Sequence, residues 1–154
     1  MKAIIKTVML SVFFVACSTD DTPAGQQLLV APEPQEVAKG DLYGNGQEGI
    51  PQQFLVISNQ MEWESLKAQM DAVNSVTENF VETEIDFSQY TLIAAFDQIR
   101  GTGGHSIDIT SIDETPDMLH VTVEKLLNGN LTAVMTQPYH IVKIPATTKA
   151  IVFN

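Results

Sequence analysis

Apolar residues follow two different rhythms along this chain. Between positions 59 and 73 they recur at Trp63, Leu66, Met70 and Val73, the three-and-four spacing of a helix with one apolar face. Asn59 followed three residues later by Glu62 is a capping-box arrangement, which places the helix start there. Elsewhere the period shortens to two: Leu119, Val121 and Val123 alternate with His120, Thr122 and Glu124, as in a half-buried strand. Runs over 53–58, 91–96, 105–112, 139–144 and 150–153 also predict strands. The 139–144 run differs from the rest because Ile141, Val142 and Ile144 are apolar on both faces, so this strand is expected to be central and covered on both sides. Connections this short favour antiparallel pairing. The expected fold class is therefore α+β, an antiparallel sheet with one packed amphipathic helix.

The first 36 residues read differently. Lys2 and Lys6 flank the start of an apolar run over 8–16, broken only by Ser11, which has the parts of a secretory signal and is too short to span a membrane. It ends at Cys17, the single cysteine of the chain, and Phe14-Val15-Ala16-Cys17 resembles a bacterial lipobox. That resemblance implies cleavage before Cys17 and lipidation of its thiol. Each buried methylene contributes about 0.8 kcal/mol, so two or three acyl chains hold a protein to a membrane far more firmly than one. The expected localisation is an outer-membrane lipoprotein, and Asp20-Asp21 resembles a surface-export signal, which points to exposure on the cell surface. Pro23, Pro32 and Pro34 discourage regular structure after the cysteine, so this stretch reads as a tether with a reach of roughly 25 Å if flexible. The expected division is a signal peptide over 1–16, a tether over 17–36 and one domain over 37–154.

Charge narrows the partners. The chain carries a formal net charge of -11, and cleavage before Cys17 removes two lysines and no acid, taking it to -13. Such a surface repels phosphate backbones, so nucleic acid is not an expected partner. With its one cysteine assigned to lipid the domain has no disulfide, and its stability must come from its core.

Several groupings invite a chemical reading. His105, Ser106 and Asp108 supply the residue types of a hydrolytic triad, yet on an extended strand His105 points with Ile107 and Ile109 while Ser106 and Asp108 face the other way. A hairpin turning over 113–117 would put His120 across from Thr110 and diagonal to Asp108, where the two form a solvated pair about 13 Å from a serine four residues down the strand. Gly101-Thr102-Gly103-Gly104 lacks the Gly-Lys-Ser/Thr ending of a phosphate loop and enters a strand, so a tight turn needing positive φ is the expected role. The stretch 41–46 only faintly resembles a calcium loop, with Gln52 where a glutamate is needed. Three separated histidines without a Cys or carboxylate cluster do not make a zinc site, and His140 is expected to be a satisfied structural histidine. Trp63 and Met70 read as core and Met61 as exposed. No metal, no cofactor and no catalytic residue is expected.

Four stretches carry a family resemblance: 59–73 (NQMEWESLKAQMDAV), 85–88 (IDFS), 100–107 (RGTGGHSI) and 136–145 (TQPYHIVKIP). In this order and spacing they resemble the PrcB C-terminal domain family, over roughly 40–153. The resemblance implies an envelope lipoprotein that is a non-catalytic binding or stabilising subunit of a secreted or surface protease complex, or of a similar assembly. His105 stands where the family more often has tyrosine. The expected partner is another envelope protein such as a protease, and the expected contacts are Arg100, Gly101, Thr102, Gly103 and Gly104 together with the turn Asn128, Gly129 and Asn130, which follows Leu126 and Leu127. An alternative is a protease-inhibitor-like binding module, since a Gly-Thr-Gly-Gly loop entering a strand resembles loops of small β-rich cysteine-protease inhibitors.

Overall fold

The alternation along 90–96 and 137–145 organises the molecule, because each of these strands carries apolar side chains on both faces and must be covered twice. In the computed structural model, which describes residues 33–154, the elements run β1 (Gln35–Leu42), β2 (Gln53–Ile57), α1 (Gln60–Met70), a 3-10 turn (Val76–Asn79), β3 (Tyr90–Phe96), β4 (Asp108–Glu114), β5 (Met118–Glu124), β6 (Gln137–Pro145) and β7 (Ala150–Phe153). The stretch read as a signal peptide, Cys17 and the part of the expected tether up to residue 32 lie outside the described residues. Among the described residues no helix is long and apolar enough to cross a membrane.

Two sheets form. The first has the order β1-β6-β3-β2 and is antiparallel throughout, so β3 and β6 are its interior strands. One face, with Leu92, Ala94, Phe96, Tyr139 and Ile141, packs on Trp63, Leu66 and Met70 of α1. The opposite face, with Ile93, Ala95, Val142 and Ile144, packs on Ile109, Ile112, Leu119 and Val121 of a second sheet ordered β4-β5-β7. The result is three layers of helix, sheet and sheet, and the double covering expected for 139–144 is met.

Three features depart from the periodicity. Residues 35–42 form a strand that their mixed composition conceals, with Val37 and Leu42 buried between charged neighbours, so the first strand of the described residues starts at Gln35, inside the stretch read as tether. The expected single sheet is two, and β5 pairs β7 in parallel, because β6 crosses to the first sheet between them and supplies the crossover that a parallel pair needs. Val73 is exposed rather than part of the helical stripe, since α1 ends at Met70 and the Asp71 carboxylate binds the Thr77 N–H (2.9 Å) and hydroxyl (2.6 Å).

At the other end of the helix the cap forms: Asn59 Oδ1 accepts from the Glu62 N–H at 3.0 Å, while Glu62 Oε2 reaches one residue past the cap to accept from the Ser58 N–H at 3.2 Å. Trp63 anchors the helix layer. It is fully buried, stacks on Phe80 at 5.8 Å between centroids and donates its indole N–H to the Thr83 carbonyl at 2.9 Å. Trp63→Ala removes both the packing and this tie, and is expected to cost about 3–5 kcal/mol, read as a fall in the urea unfolding midpoint.

Candidate protein-binding site

The polypeptide leaves β3 at Phe96, and the next residue, Asp97, is wholly buried. A carboxylate there is tolerable only if its charge is met. Arg100 supplies Nε at 2.7 Å and Nη2 at 2.5 Å to one oxygen, and Lys125, just past β5, reaches the other at 2.7 Å. Burial pushes the Asp97 carboxyl up, but hydrogen bonds from Lys125, Arg100 and the Gln98 backbone outweigh it and hold the group below the usual carboxylate range. The Gln137 side-chain amide also bridges the Asp97 and Ile50 carbonyls, at 2.9 and 2.8 Å.

From this anchor two loops pair with one another. The Arg100 and Thr136 backbones exchange hydrogen bonds of 2.7 and 3.1 Å. The Gly103 N–H then donates to the Thr132 carbonyl (3.1 Å), the Gly103 carbonyl accepts from Asn130 (2.9 Å), and the Gly104 carbonyl accepts from Gly129 (3.0 Å). His105 bridges Asn128, and the Ser106 N–H donates to the Leu127 carbonyl at 3.2 Å. The residues expected to contact a partner, 100–104 and 128–130, are thus brought together in one ridge. Gly101, Asn128, Gly129 and Asn130 are exposed on it, whereas Gly103 is buried and Arg100 turns inward to Asp97. Ile99, Leu126, Leu127, Leu131 and Met135 add exposed apolar side chains.

Positive φ is needed at Gly104 (+72°) and Gly129 (+96°), where a Cβ would collide with the Asn130 side chain and the His105 ring respectively. The His105 ring therefore covers Gly129, and its Nε2 lies 2.9 Å from Thr102 Oγ1. The imidazole thereby ties the 100–105 loop to the 128–130 turn.

The residues that invited a hydrolytic reading are arranged otherwise. The Ser106 hydroxyl donates directly to Asp108 Oδ2 at 2.5 Å and accepts from the Leu127 N–H at 3.0 Å, with no imidazole between serine and carboxylate. Asp108 also accepts from the Leu126 N–H at 3.2 Å and pairs with Lys39 at 2.5 Å. Burial pushes its carboxyl up, but Lys39, Ser106 and the Leu126 N–H together hold it low. The expected Asp108–His120 pair does not form. The hairpin turns at Thr115–Met118, later than expected, which sets His120 opposite Asp113 with Val152 on its other side; beyond a one-residue bulge between Ile109 and Ser111, Asp108 lies opposite Glu124. His140 accepts the Ile109 N–H on Nδ1 at 2.9 Å, which fixes a neutral ring in that role.

In the glycine turn the Gly103 N–H is taken by the Thr132 carbonyl, and in the stretch 41–46 the Glu48 carboxylate folds back to accept the Gly44 N–H at 2.7 Å. Among the described residues no group of three or more His, Cys, Asp or Glu side chains is placed to hold a metal. Sequence reading missed Asp97, Lys125 and Lys39 as the supports of the ridge. A charged residue directly following the apolar 92–96 run was a signal for Asp97, whereas nothing local marks the two lysines.

What the fold and ridge define is a small α+β domain in which the loops after β3 and after β5 pair into one partly apolar surface. The PrcB C-terminal family matches residues 91–145, from β3 through β6, and so includes both loops of the ridge and the TGG-x-S-I and T-x-PYHIVKIP motifs. This is the family that those motifs resemble; the helical stretch 59–73 lies outside the matched residues. No curated protein and no solved structure gives a significant match.

Arg100→Ala leaves Asp97 buried with Lys125 as its one remaining cation, and a loss of about 1–3 kcal/mol is expected, measured by urea unfolding and partly restored by Arg100→Lys. A second expectation concerns acid. Burial pushes His140 below its ordinary 6.5, assisted by Lys39 and opposed by Glu36 and Asp108. The unfolded chain thus binds this proton more readily than the folded one, so the contribution of neutral His140 is complete above pH 6.5 and is lost as pH falls from there through the lowered folded value. The unfolding midpoint should begin to drop below that pH with a slope of at most about 1.4 kcal/mol per pH unit. In His140→Gln this descent should be absent until the carboxyls of Asp97 and Asp108 titrate below 3.8.

Proposed function

We propose that this protein is a lipid-anchored envelope subunit that binds and stabilises another protein, a secreted or surface protease in the first instance, and does no chemistry itself. The observation that carries the reading is the ridge. Its paired loops are fixed by a buried ion cluster and by two glycines at positive φ, and they display Leu126, Leu127, Leu131 and Met135 to solvent. Exposed apolar side chains concentrated on a rigid loop pair suit a protein interface. The family match over the same residues supports a role connected with a protease complex. A direct Ser106–Asp108 hydrogen bond, without an intervening base, gives the serine no route to activation.

In this reading the lipid on Cys17 fixes the protein to the outer membrane, the tether sets its reach, and the ridge faces outward to the partner. The test is affinity capture of the tagged full-length protein from gently solubilised envelopes, with Cys17→Ala, Leu127→Asp and Leu131→Asp beside it. A protease or its precursor should be enriched stoichiometrically with the unaltered protein and fall at least about tenfold with either ridge variant, the cost of placing a charge in an apolar contact. Cys17→Ala should abolish membrane retention. A capture without a protease, or one unchanged by both ridge variants, would overturn the assignment, and complete resistance to protease added to intact cells would place the domain inside rather than on the surface.

A further inference from the structure

Three of the four sheet edges among the described residues are protected in recognisable ways. β1 carries a bulge at Val37, whose carbonyl is taken by the Val81 N–H at 2.9 Å, and it bears Glu36, Lys39 and Asp41. β4 carries the bulge between Ile109 and Ser111 together with Asp108, Asp113 and Glu114. β7 is four residues long. Bulges, charges and shortness are the usual means of keeping an edge from pairing. The fourth edge, β2, has none of the first two: Gln53–Ile57 is uncharged, free of proline and in unbroken register with β3. No backbone hydrogen bond from another part of the described residues reaches it.

Beside that edge runs a groove of about 540 Å³ between β2 and α1, lined by Leu55 and Ile57 on the strand and by Met61, Glu62, Ser65 and Leu66 on the helix. The volume lies in the range of real binding clefts. A strand edge with a helix-walled groove of mixed polar and apolar lining alongside supplies the two parts of strand addition: main-chain groups for affinity and side-chain pockets for selectivity.

Charge identifies the occupant. All six basic side chains among the described residues are ion-paired with carboxylates: Lys39 with Asp108, Lys67 with Glu64, Arg100 and Lys125 with Asp97, Lys143 with Glu82, and Lys149 with Glu114. Glu62, in the wall of the groove, is in none of these pairs, and the whole chain carries -11. A second copy would bring the same unmatched acids to the edge. The segment 18–32 of this chain contains Asp20 and Asp21 and no basic residue. We infer that the β2–α1 groove binds an extended segment of another protein, one that alternates basic and apolar side chains and adds to β2 as a further strand. This surface consists of different residues from the ridge and extends the contact made there.

The test uses the full-length protein in a non-ionic detergent and a fluorescent peptide of about seven residues that alternates lysine and valine, with a glutamate–valine peptide as its counterpart. Fluorescence anisotropy should show saturable binding of the lysine peptide and binding at least about tenfold weaker for the other, and added salt should weaken the first. Amide hydrogen exchange should slow at Gln53–Ile57 on binding. Ser65→Trp, which fills the groove from an exposed helical position, should weaken binding by about tenfold or more, and Glu62→Gln, which keeps the cap but not the charge, by about threefold. Leu131→Asp on the ridge should leave peptide binding unchanged, which separates this surface from the other. Equal binding of the two peptides, indifference to both groove variants, or protection that maps outside β2 would overturn the inference. So would two other results: tightening by tenfold or more on deletion of 18–32, which makes that segment the occupant, or a dimer that Ser65→Trp dissociates, which makes it a second copy.

Discussion

The structure depends on one constraint: β3 and β6 lie side by side with apolar side chains on both faces, so neither face of the central sheet can be left to water. Leu92, Ala94 and Phe96 require the helix layer, and Ile93 and Ala95 require the second sheet. A slip of one residue between these strands would exchange the two sets and spoil both packing surfaces at once. That coupling fixes the register of the β1, β2, β3 and β6 ladder. The second sheet is thereby held against the first, and the connections from β3 to β4 and from β5 to β6 are brought to the same end of the molecule, where they become the ridge.

Charge is handled inside the fold in a way that shapes the outside. Asp97 and Asp108 are buried carboxylates, and each fastens a loop to a sheet: Asp97 with Arg100 and Lys125, Asp108 with Lys39, Ser106 and the backbone at Leu126. Breaking such pairs is far more costly than their net contribution to stability suggests, because a stranded charge remains in the interior. The same pairings, with those of Lys67, Lys143 and Lys149, leave every cation of the described residues engaged. What the surface offers a partner is apolar area and negative charge, and both proposed contact surfaces follow from that.

These contacts also separate positioning from chemistry. Ser106 and Asp108 are close enough to suggest a reaction, but the serine is a bridge between a carboxylate and the Leu127 N–H. His140 accepts a backbone N–H, and His105 covers a glycine. Ser106, Asp108 and His105 are engaged in holding the loops, and His140 ties β6 to β4.

Among the described residues, the helix, six of the seven strands, the double covering of 139–144 and the two loops of the ridge could be read from the sequence, because they rest on local periodicity, on a capping pair and on glycine turns whose steric demands are local. The resemblance in 100–107 and 136–145 was equally legible. Hidden were β1, whose buried Val37 and Leu42 are separated by charged residues and a bulge, and the register of β4 on β5, in which a turn at 115–118 and a one-residue bulge set Asp108 opposite Glu124 and away from His120. The sequence could place the 100–104 and 128–130 loops but not their hydrogen bonding to one another, nor the lysines beneath them. Those depend on residues far apart in the chain, and on which of two sheets each strand joins. Periodicity records which face of a residue is buried; only the assembled layers decide what it is buried against.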